Sequence, residues 1–263
     1  MRLGMIGYGV IGREVASAWR RGDLGVGVDL VAVLVRRPRR DDSAPVIPDP
    51  AGFFARRLEV VLECAGHEAV RAHGVRCLEA GADLVLTSIG ALVDGALRGA
   101  LENAAAVNAR RLILASAGIG ALDILAAAAV GGLERVVMTV RKDPSAWYGT
   151  EAEGMCDLAN LREPLVIYDG PVREGARHYP QNVNIAAAVA LAGIGLDRTQ
   201  LTIVVDPTVR THVVQVEASG AFGSFRFVED VLPTADNPKT GRLVAMALIK
   251  TIRQLAAPVV IGA

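Results

Sequence analysis

Aromatic residues are scarce in this 263-residue chain, only 4% of it, although 52% of the chain is hydrophobic. Small aliphatic side chains and 28 glycines must therefore fill its interior, a composition that suits helices packed closely on a sheet. Charge of one sign is not in excess, because Lys plus Arg and Asp plus Glu each number 28. That balance provides no general attraction to nucleic acid or to an anionic membrane surface. Long apolar runs are missing too. The longest, roughly Ile185 to Leu196, is shorter than the ~18 residues a membrane span requires. Cysteines are few and odd in number, and Cys64, Cys77 and Cys156 share no metal-ligand spacing. A disulfide framework and a metal centre are both disfavoured, and reduced thiols in a cytoplasm are expected. The N-terminus enters a strand pattern after a single Arg, which argues against a secretory signal. The expectation is a soluble cytoplasmic globular protein of one large domain or two modest ones.

What is present begins with alternation. Strand-like runs at 2–7, 29–35, 58–64, 82–88 and 111–116 are separated by helical patterns at about 10–21, 67–80 and 93–107. Pro45, Pro48 and Pro50 read as a loop. Such alternation implies βαβ units and a parallel sheet. After Ala121 a helical pattern (121–131) leads to a long strand, 133–142, and then to strand-like segments at 164–170, 201–207, 211–220 and 222–229. One helix, 182–193, lies among them. Strands that follow one another without helical crossovers suggest a mixed or antiparallel sheet. The fold class expected is α/β, a Rossmann-type parallel domain at 1–118 followed by a second α/β (α+β) domain at 119–238. The tail, 239–256, places Val244, Leu248, Ile252 and Leu255 at helical spacing and is expected to pack back on the first domain.

The first strand ends in GYGVIG, a G-x-G-x-x-G motif through Gly7, Gly9 and Gly12 that opens a helix. In a dinucleotide site the first glycine makes a tight turn, the second lets backbone approach the pyrophosphate, and the third allows helix and strand to pack closely. The N–H groups of the following residues, Val10 and Ile11 among them, then face the phosphates at the positive end of the helix dipole. An NAD-binding protein usually presents an acid after the second strand to receive the ribose 2′-hydroxyl. Here Val35 is followed by Arg36, Arg37, Pro38, Arg39 and Arg40, with no carboxylate before Asp41. Guanidinium groups at Arg36 and Arg37 would instead pair with a 2′-phosphate, which favours NADP over NAD. Cys64 and Ala65 end the third strand and Ser88 the fourth, at the carboxyl edge where open α/β sheets bind ligands.

Four phrases in the second half, SAGIGALD (116–123), YPQNVNIAAAVALAG (179–193), DPTVRTH (206–212) with SGAFGSF (219–225), and NPKTG (237–241), accompany GYGVIG in order. Together they resemble the L-aspartate dehydrogenase family over nearly the whole chain. The resemblance implies a homodimer in which aspartate is oxidised to iminoaspartate with NAD or NADP. Hydrolysis then gives oxaloacetate and ammonia, or the imine feeds NAD biosynthesis. It also implies that His212 is the catalytic histidine and that Gly118 and Asn182 contact the nicotinamide. The family usually reads Ser-Gly-Ala-Ile-Gly where this chain has Ser116, Ala117, Gly118, Ile119 and Gly120. A backbone contact at Gly118 would survive that exchange, whereas a methyl contact would not.

Chemistry on the residues themselves points the same way. His212 starts an alternating strand, a rigid support, and an imidazole titrates near neutrality, as a group that moves protons should. Asn182 and Asn184 open a helix, where only one can cap and the other is free to bind. Lys239 and Thr240 read as a helix start that could also hold a substrate carboxylate, with Arg141, Lys142 and Arg210 as competing cations. Other two-domain reductases, of the homoserine dehydrogenase or dihydrodipicolinate reductase type, share the fold plan. A redox sensor that binds NADP without turnover would need no histidine on a strand. Metal, nucleic-acid and membrane partners are not expected.

Overall fold

The computed structural model describes residues 1–37, 43–116, 118–180, 184–235 and 237–262. Asn182, and the basic stretch after Arg37 that includes Arg39 and Arg40, lie outside the described residues. The chain forms two compact units: Met1–Ala115 together with Ala245–Ala263, and Ser116–Val244.

The first unit is a six-stranded parallel sheet. Its strands are β1 (Arg2–Ile6), β2 (Asp29–Leu34), β3 (Val46–Ile47), β4 (Val60–Glu63), β5 (Asp83–Leu86) and β6 (Leu112–Leu114), in the order β3-β2-β1-β4-β5-β6. Among the described residues α1 (Val10–Arg20), α2 (Pro50–Phe54), α3 (His67–Glu79) and α4 (Gly95–Val107) lie between them, α4 preceded by a short 3-10 helix, Ile89–Val93. Strands covered on both faces need unbroken apolar runs, and every residue of β4 and β5 is buried. The proline-rich stretch read as a loop contains β3 and α2. Asp49 accounts for the helix, because its carboxylate accepts from Ala51 N and Gly52 N at 3.1 and 2.7 Å, and Pro50 suits a first helical turn.

The second unit contains a five-stranded mixed sheet. In chain order its elements are α5 (Leu122–Val130), β7 (Leu133–Lys142), β8 (Leu165–Pro171), α6 (Val172–His178), α7 (Asn184–Ala192), β9 (Gln200–Val205), β10 (His212–Gly220) and β11 (Gly223–Val231). The sheet order is β11-β10-β7-β9-β8, with only the β7–β9 pair parallel. A small antiparallel pair follows, β12 (Pro233–Thr234) and β13 (Asn237–Gly241). Lys239 and Thr240 are therefore strand residues and not the start of the last helix. The Asn237 side chain makes this turn: its Oδ1 accepts from Lys239 N at 3.0 Å and its Nδ2 donates to Thr240 Oγ1 at 3.0 Å. The last helix, α8, runs from Leu243 to Ala256. Its Leu248 and Ile252 are fully buried in the core of the first unit, with Val15, Ala16 and Leu30.

Candidate functional site

The Gly-rich turn is built by close packing. Gly7 has φ +102°, and a Cβ there would fall 2.8 Å from the Cα of Ala65. A Cβ at Gly12 would fall 2.6 Å from the Gly7 carbonyl oxygen. Gly9 differs, because a Cβ there would meet nothing within 4 Å among the described residues. The packing of those residues does not require a glycine at that position, and they leave the space above the turn open. Gly9 is also the N-cap of α1 and offers no side-chain cap, so the first-turn amides of Val10, Ile11 and Gly12 have no side-chain acceptor from the cap residue. Arg36 and Arg37, just past β2, are exposed.

Beside this turn lies a group that sequence reasoning missed. Glu63, the last residue of β4, is 1% exposed. Its Oε1 accepts from Ala65 N and Gly66 N, each at 2.7 Å, and from Ser88 Oγ at 3.0 Å, while its Oε2 accepts from Ser88 N at 3.1 Å. One buried carboxylate thus ties together the ends of β4 and β5, including Ala65 and Ser88. The Cys64 thiol contacts the Ile6 and Gly7 carbonyl oxygens at 3.5 Å, and burial, followed by the Glu63 charge, raises its pKa far above the thiolate range. It cannot serve as a nucleophile at neutral pH.

In the second unit His212 is 7% exposed and begins β10. It lies across from Val231 of β11. On its other side β10 pairs with β7 through Val213–Arg141 and Val214–Val140, and one further step of that antiparallel register brings Lys142 opposite His212. Side chains alternate along strands, so Lys142 shares the face of Val136, Met138 and Val140, and His212 that of Val214 and Val216. Lys142 is 3% exposed, with its Nζ 5.9 Å from the ring centre of fully buried Trp147. Burial, then the charge of Lys239, pushes its ammonium down to about 8. Strand β13 passes close by, since a Cβ at Gly241 would lie 3.7 Å from His212 Nδ1. A pocket of about 230 Å³ opens on His212, lined also by Asp143, Ser145, Ala146, Arg210, Thr211 and Pro233.

Other cations near this pocket already face carboxylates. Arg141 Nε donates to Asp206 at 2.9 Å, and Arg210 pairs with Asp143 at 2.8 Å. Burial alone would raise the Asp206 carboxyl, but hydrogen bonds from Thr208 and Arg141 outweigh it and hold the pKa below the usual range. Glu229 occupies the same strand face as His212 one pair further along, opposite Val214. Burial pushes it up to about 7; Oε2 accepts from Gly120 N at 3.2 Å and Oε1 is buried without a hydrogen-bond partner among the described residues. Gly118 is tightly placed, with a Cβ there falling 3.3 Å from Val244 and 3.5 Å from Ile185. Asn184 is the first residue of α7 and half-buried. The remaining histidines are elsewhere: His67 and His73 on α3, and His178 at the end of α6, 2.8 Å from Glu151. Among the described residues no three His, Cys, Asp or Glu side chains gather as a metal would need, and no helix is long and apolar enough to cross a membrane.

Lys142, Glu63 and Glu229 were each visible as a charge in apolar phase. In LERVVMTVRK the buried positions are 133, 136, 138, 140 and 142, and the last of them is a lysine. Glu63 likewise closes the run VVLE. Glu229 follows Phe225 and Phe227 at the two-residue strand period.

Comparison with known proteins adds the chemistry. Residues 7–115 match the model of the homoserine dehydrogenase NAD-binding domain, and residues 123–255 match that of the aspartate dehydrogenase C-terminal domain. The L-aspartate dehydrogenase of Ruegeria pomeroyi is 41% identical over 264 residues, covering 98% of this chain and 94% of that protein. The chain belongs to the L-aspartate dehydrogenase family. The family's enzyme from Pseudomonas aeruginosa is 42% identical over 261 residues, spanning 94% of this chain and 95% of its own. The crystal structure of aspartate dehydrogenase from Thermotoga maritima shares the fold at TM-score 0.76 and 21% identity, with 99% of each chain covered. A nicotinamide dinucleotide is the cofactor class that this family and its NAD-binding domain imply.

Proposed function

We propose that this chain is an NAD(P)-dependent L-aspartate dehydrogenase, which oxidises L-aspartate to iminoaspartate that hydrolyses to oxaloacetate and ammonia. The reading rests above all on one observation, a histidine held on a rigid strand and opening on a pocket in a chain that aligns almost end to end with enzymes of that name.

The turn at Gly7, Gly9 and Gly12, with the amides of Val10 and Ile11, would hold the pyrophosphate; the open space over Gly9 fits that group. Arg36 and Arg37 would meet a 2′-phosphate, so NADP is the proposed preference. Cys64, Ala65 and Ser88 would line the cofactor, and Gly118 and Asn182 the nicotinamide side. When bound, the cofactor accepts hydride from the substrate α-carbon. The protein's part is to orient the substrate and handle protons. His212 would take the proton that the aspartate ammonium must lose as the C–N double bond forms. Once it has released that proton to solvent, the neutral imidazole would deprotonate the water that attacks the imine carbon, and then return the proton to the departing ammonia. The proposal extends to a homodimer, to action in the cytoplasm, and to release of some iminoaspartate for NAD biosynthesis.

The test is NADPH oxidation with oxaloacetate plus ammonia, run beside pyruvate, aspartate semialdehyde and dihydrodipicolinate, and repeated with NADH. Turnover that requires both oxaloacetate and ammonia, with tighter binding of NADPH, is expected. Better turnover of a rival substrate would sink the assignment. Light scattering should give twice the 27.6 kDa of one chain.

A further inference from the structure

The strand order β3-β2-β1-β4-β5-β6 reverses direction between β1 and β4, and open α/β sheets bind ligands in the crevice at such a point. The two strands that flank it end in different chemistry. Ile6 leads β1 into the Gly-rich turn, while its register partner is Glu63, the last residue of β4. Arg36 and Arg37 follow β2. A dinucleotide with its adenine ribose at those arginines and its pyrophosphate at Gly9 therefore has its nicotinamide half directed across β4. A buried carboxylate stands at the edge which that half crosses. Its four donors, the amides of Ala65, Gly66 and Ser88 and the Ser88 hydroxyl, are all neutral, so they hold the group without cancelling its net charge. After burial, that charge is the next cause that keeps the Cys64 and Cys77 thiols protonated. The strands do not need the carboxylate for pairing. Glu63 and Leu86 are in register through the backbone, and Thr87 N and Oγ1 both donate to the Glu63 carbonyl oxygen, at 3.2 and 2.7 Å. Burying a charge is unfavourable where a neutral side chain of similar shape could serve, which points to a part in electrostatics.

We propose that Glu63 biases the bound cofactor towards its oxidised form, by acting on the charge difference between the oxidised and reduced nicotinamide rings. The inference rests on the proposed dehydrogenase activity and deepens it. The oxidised ring carries a positive charge, and the hydride it accepts brings an electron pair that cancels it. Phosphates, riboses and adenine are the same in both forms, so their interactions drop out of the comparison. What remains is attraction between the Glu63 carboxylate and the cationic ring. Glu63 is 1% exposed, so water screens that attraction little. The enzyme-bound equilibrium consequently leans towards oxidised cofactor and the amino acid, and away from reduced cofactor and the imine. Glu63 acts through its charge and takes no part in proton transfer.

The experiment measures the dissociation constants of NADP⁺ and NADPH separately, by calorimetry on the full chain without substrate. It compares the unaltered protein with Glu63→Gln, Ser88→Ala and Ala65→Asp. Glu63→Gln removes the charge at nearly constant shape, and should weaken NADP⁺ binding roughly 3- to 30-fold more than NADPH binding. The change in that ratio is a change in the potential of the bound cofactor, tenfold being about 30 mV for a two-electron couple. Ser88→Ala loosens the same strand edge but keeps the charge, so it should alter both constants alike. Ala65 is exposed, and Ala65→Asp adds a second negative charge there, which should shift the ratio the opposite way, in favour of NADP⁺. That variant carries the test if Glu63→Gln does not fold. A ratio unchanged in Glu63→Gln, or changed equally by Ser88→Ala, would make Glu63 a structural tie and overturn the proposal. An unchanged ratio in Ala65→Asp would put the ring away from this edge and overturn it as well. Failure of the unaltered protein to bind either nucleotide, or to turn over oxaloacetate with ammonia, would instead defeat the functional assignment.

Discussion

Gly9 and Gly12 stand three residues apart in one motif and lack side chains for different reasons. At Gly12 a methyl would collide with backbone, 2.6 Å from the Gly7 oxygen, whereas at Gly9 it would meet no described residue within 4 Å. Gly12→Ala should therefore lower the melting temperature, and calorimetry should detect it without any ligand. Gly9→Val should leave the melting temperature of the ligand-free protein nearly unchanged and abolish the stabilisation that NADPH gives, about 2.7 kcal/mol at 100 times Kd. Unaltered NADPH affinity in Gly9→Val would contradict the dinucleotide reading. His212 makes a second contrast. His212→Ala should reduce kcat by about 10²–10⁴-fold, and His212→Asn, which hydrogen-bonds but cannot carry the proton, should do no better. Stopped-flow binding should show NADPH affinity intact in both. The third contrast is in pH. The Lys142 pKa is lowered to about 8 by burial and then by the charge of Lys239, so its ammonium is present below that pH and lost above it. Lys239→Gln, by removing a like charge, should move that titration to higher pH, as NMR of the labelled lysine side chain would read.

At the scale of elements, strands with strict alternation were legible and short elements held by single side chains were not. The run THVVQVEAS announces β10 because its inward positions are buried and its outward ones half-exposed. The unbroken VVLE and DLVL runs announce a parallel sheet covered on both faces. By contrast β13 exists through the Asn237 side chain, and α2 through the Asp49 cap, interactions without any periodic signal. Hence Lys239 and Thr240 were misread as a helix start. The cluster around His212 was legible only in part: the lysine in the buried phase of β7 was there to be read, but its adjacency to His212 depends on a register between strands about 70 residues apart. The helix α8 was legible from Leu248 and Ile252, both fully buried in the first unit. Leu248→Ala should cost about 2–5 kcal/mol, read as a shift in urea midpoint with little change in slope. A cost under 1 kcal/mol would mean that α8 is dispensable to that core.

At the scale of the molecule, the second unit, Ser116–Val244, is continuous in sequence while the first is assembled from both ends of the chain. A fragment comprising 116–244 should give dispersed NMR resonances and a cooperative melt, because its sheet and its covering helices α5, α6 and α7 all lie within it. A fragment ending at 115 lacks α8 and leaves Val15, Ala16 and Leu30 uncovered. It should bind a hydrophobic dye and aggregate, and adding a synthetic 243–263 peptide should reverse this in part. Good folding of 1–115 alone would show that the core closes without the helix. The same arrangement dictates a timetable during synthesis. The Gly-rich turn leaves the ribosome well before the helix that completes its support, with the whole second unit made between them. At about 5–20 residues per second, the intervening 116–244 segment takes on the order of ten seconds or more to appear. For that interval the nascent chain carries an open apolar sheet face, a period in which a chaperone, or the cofactor itself, has an incomplete unit to bind.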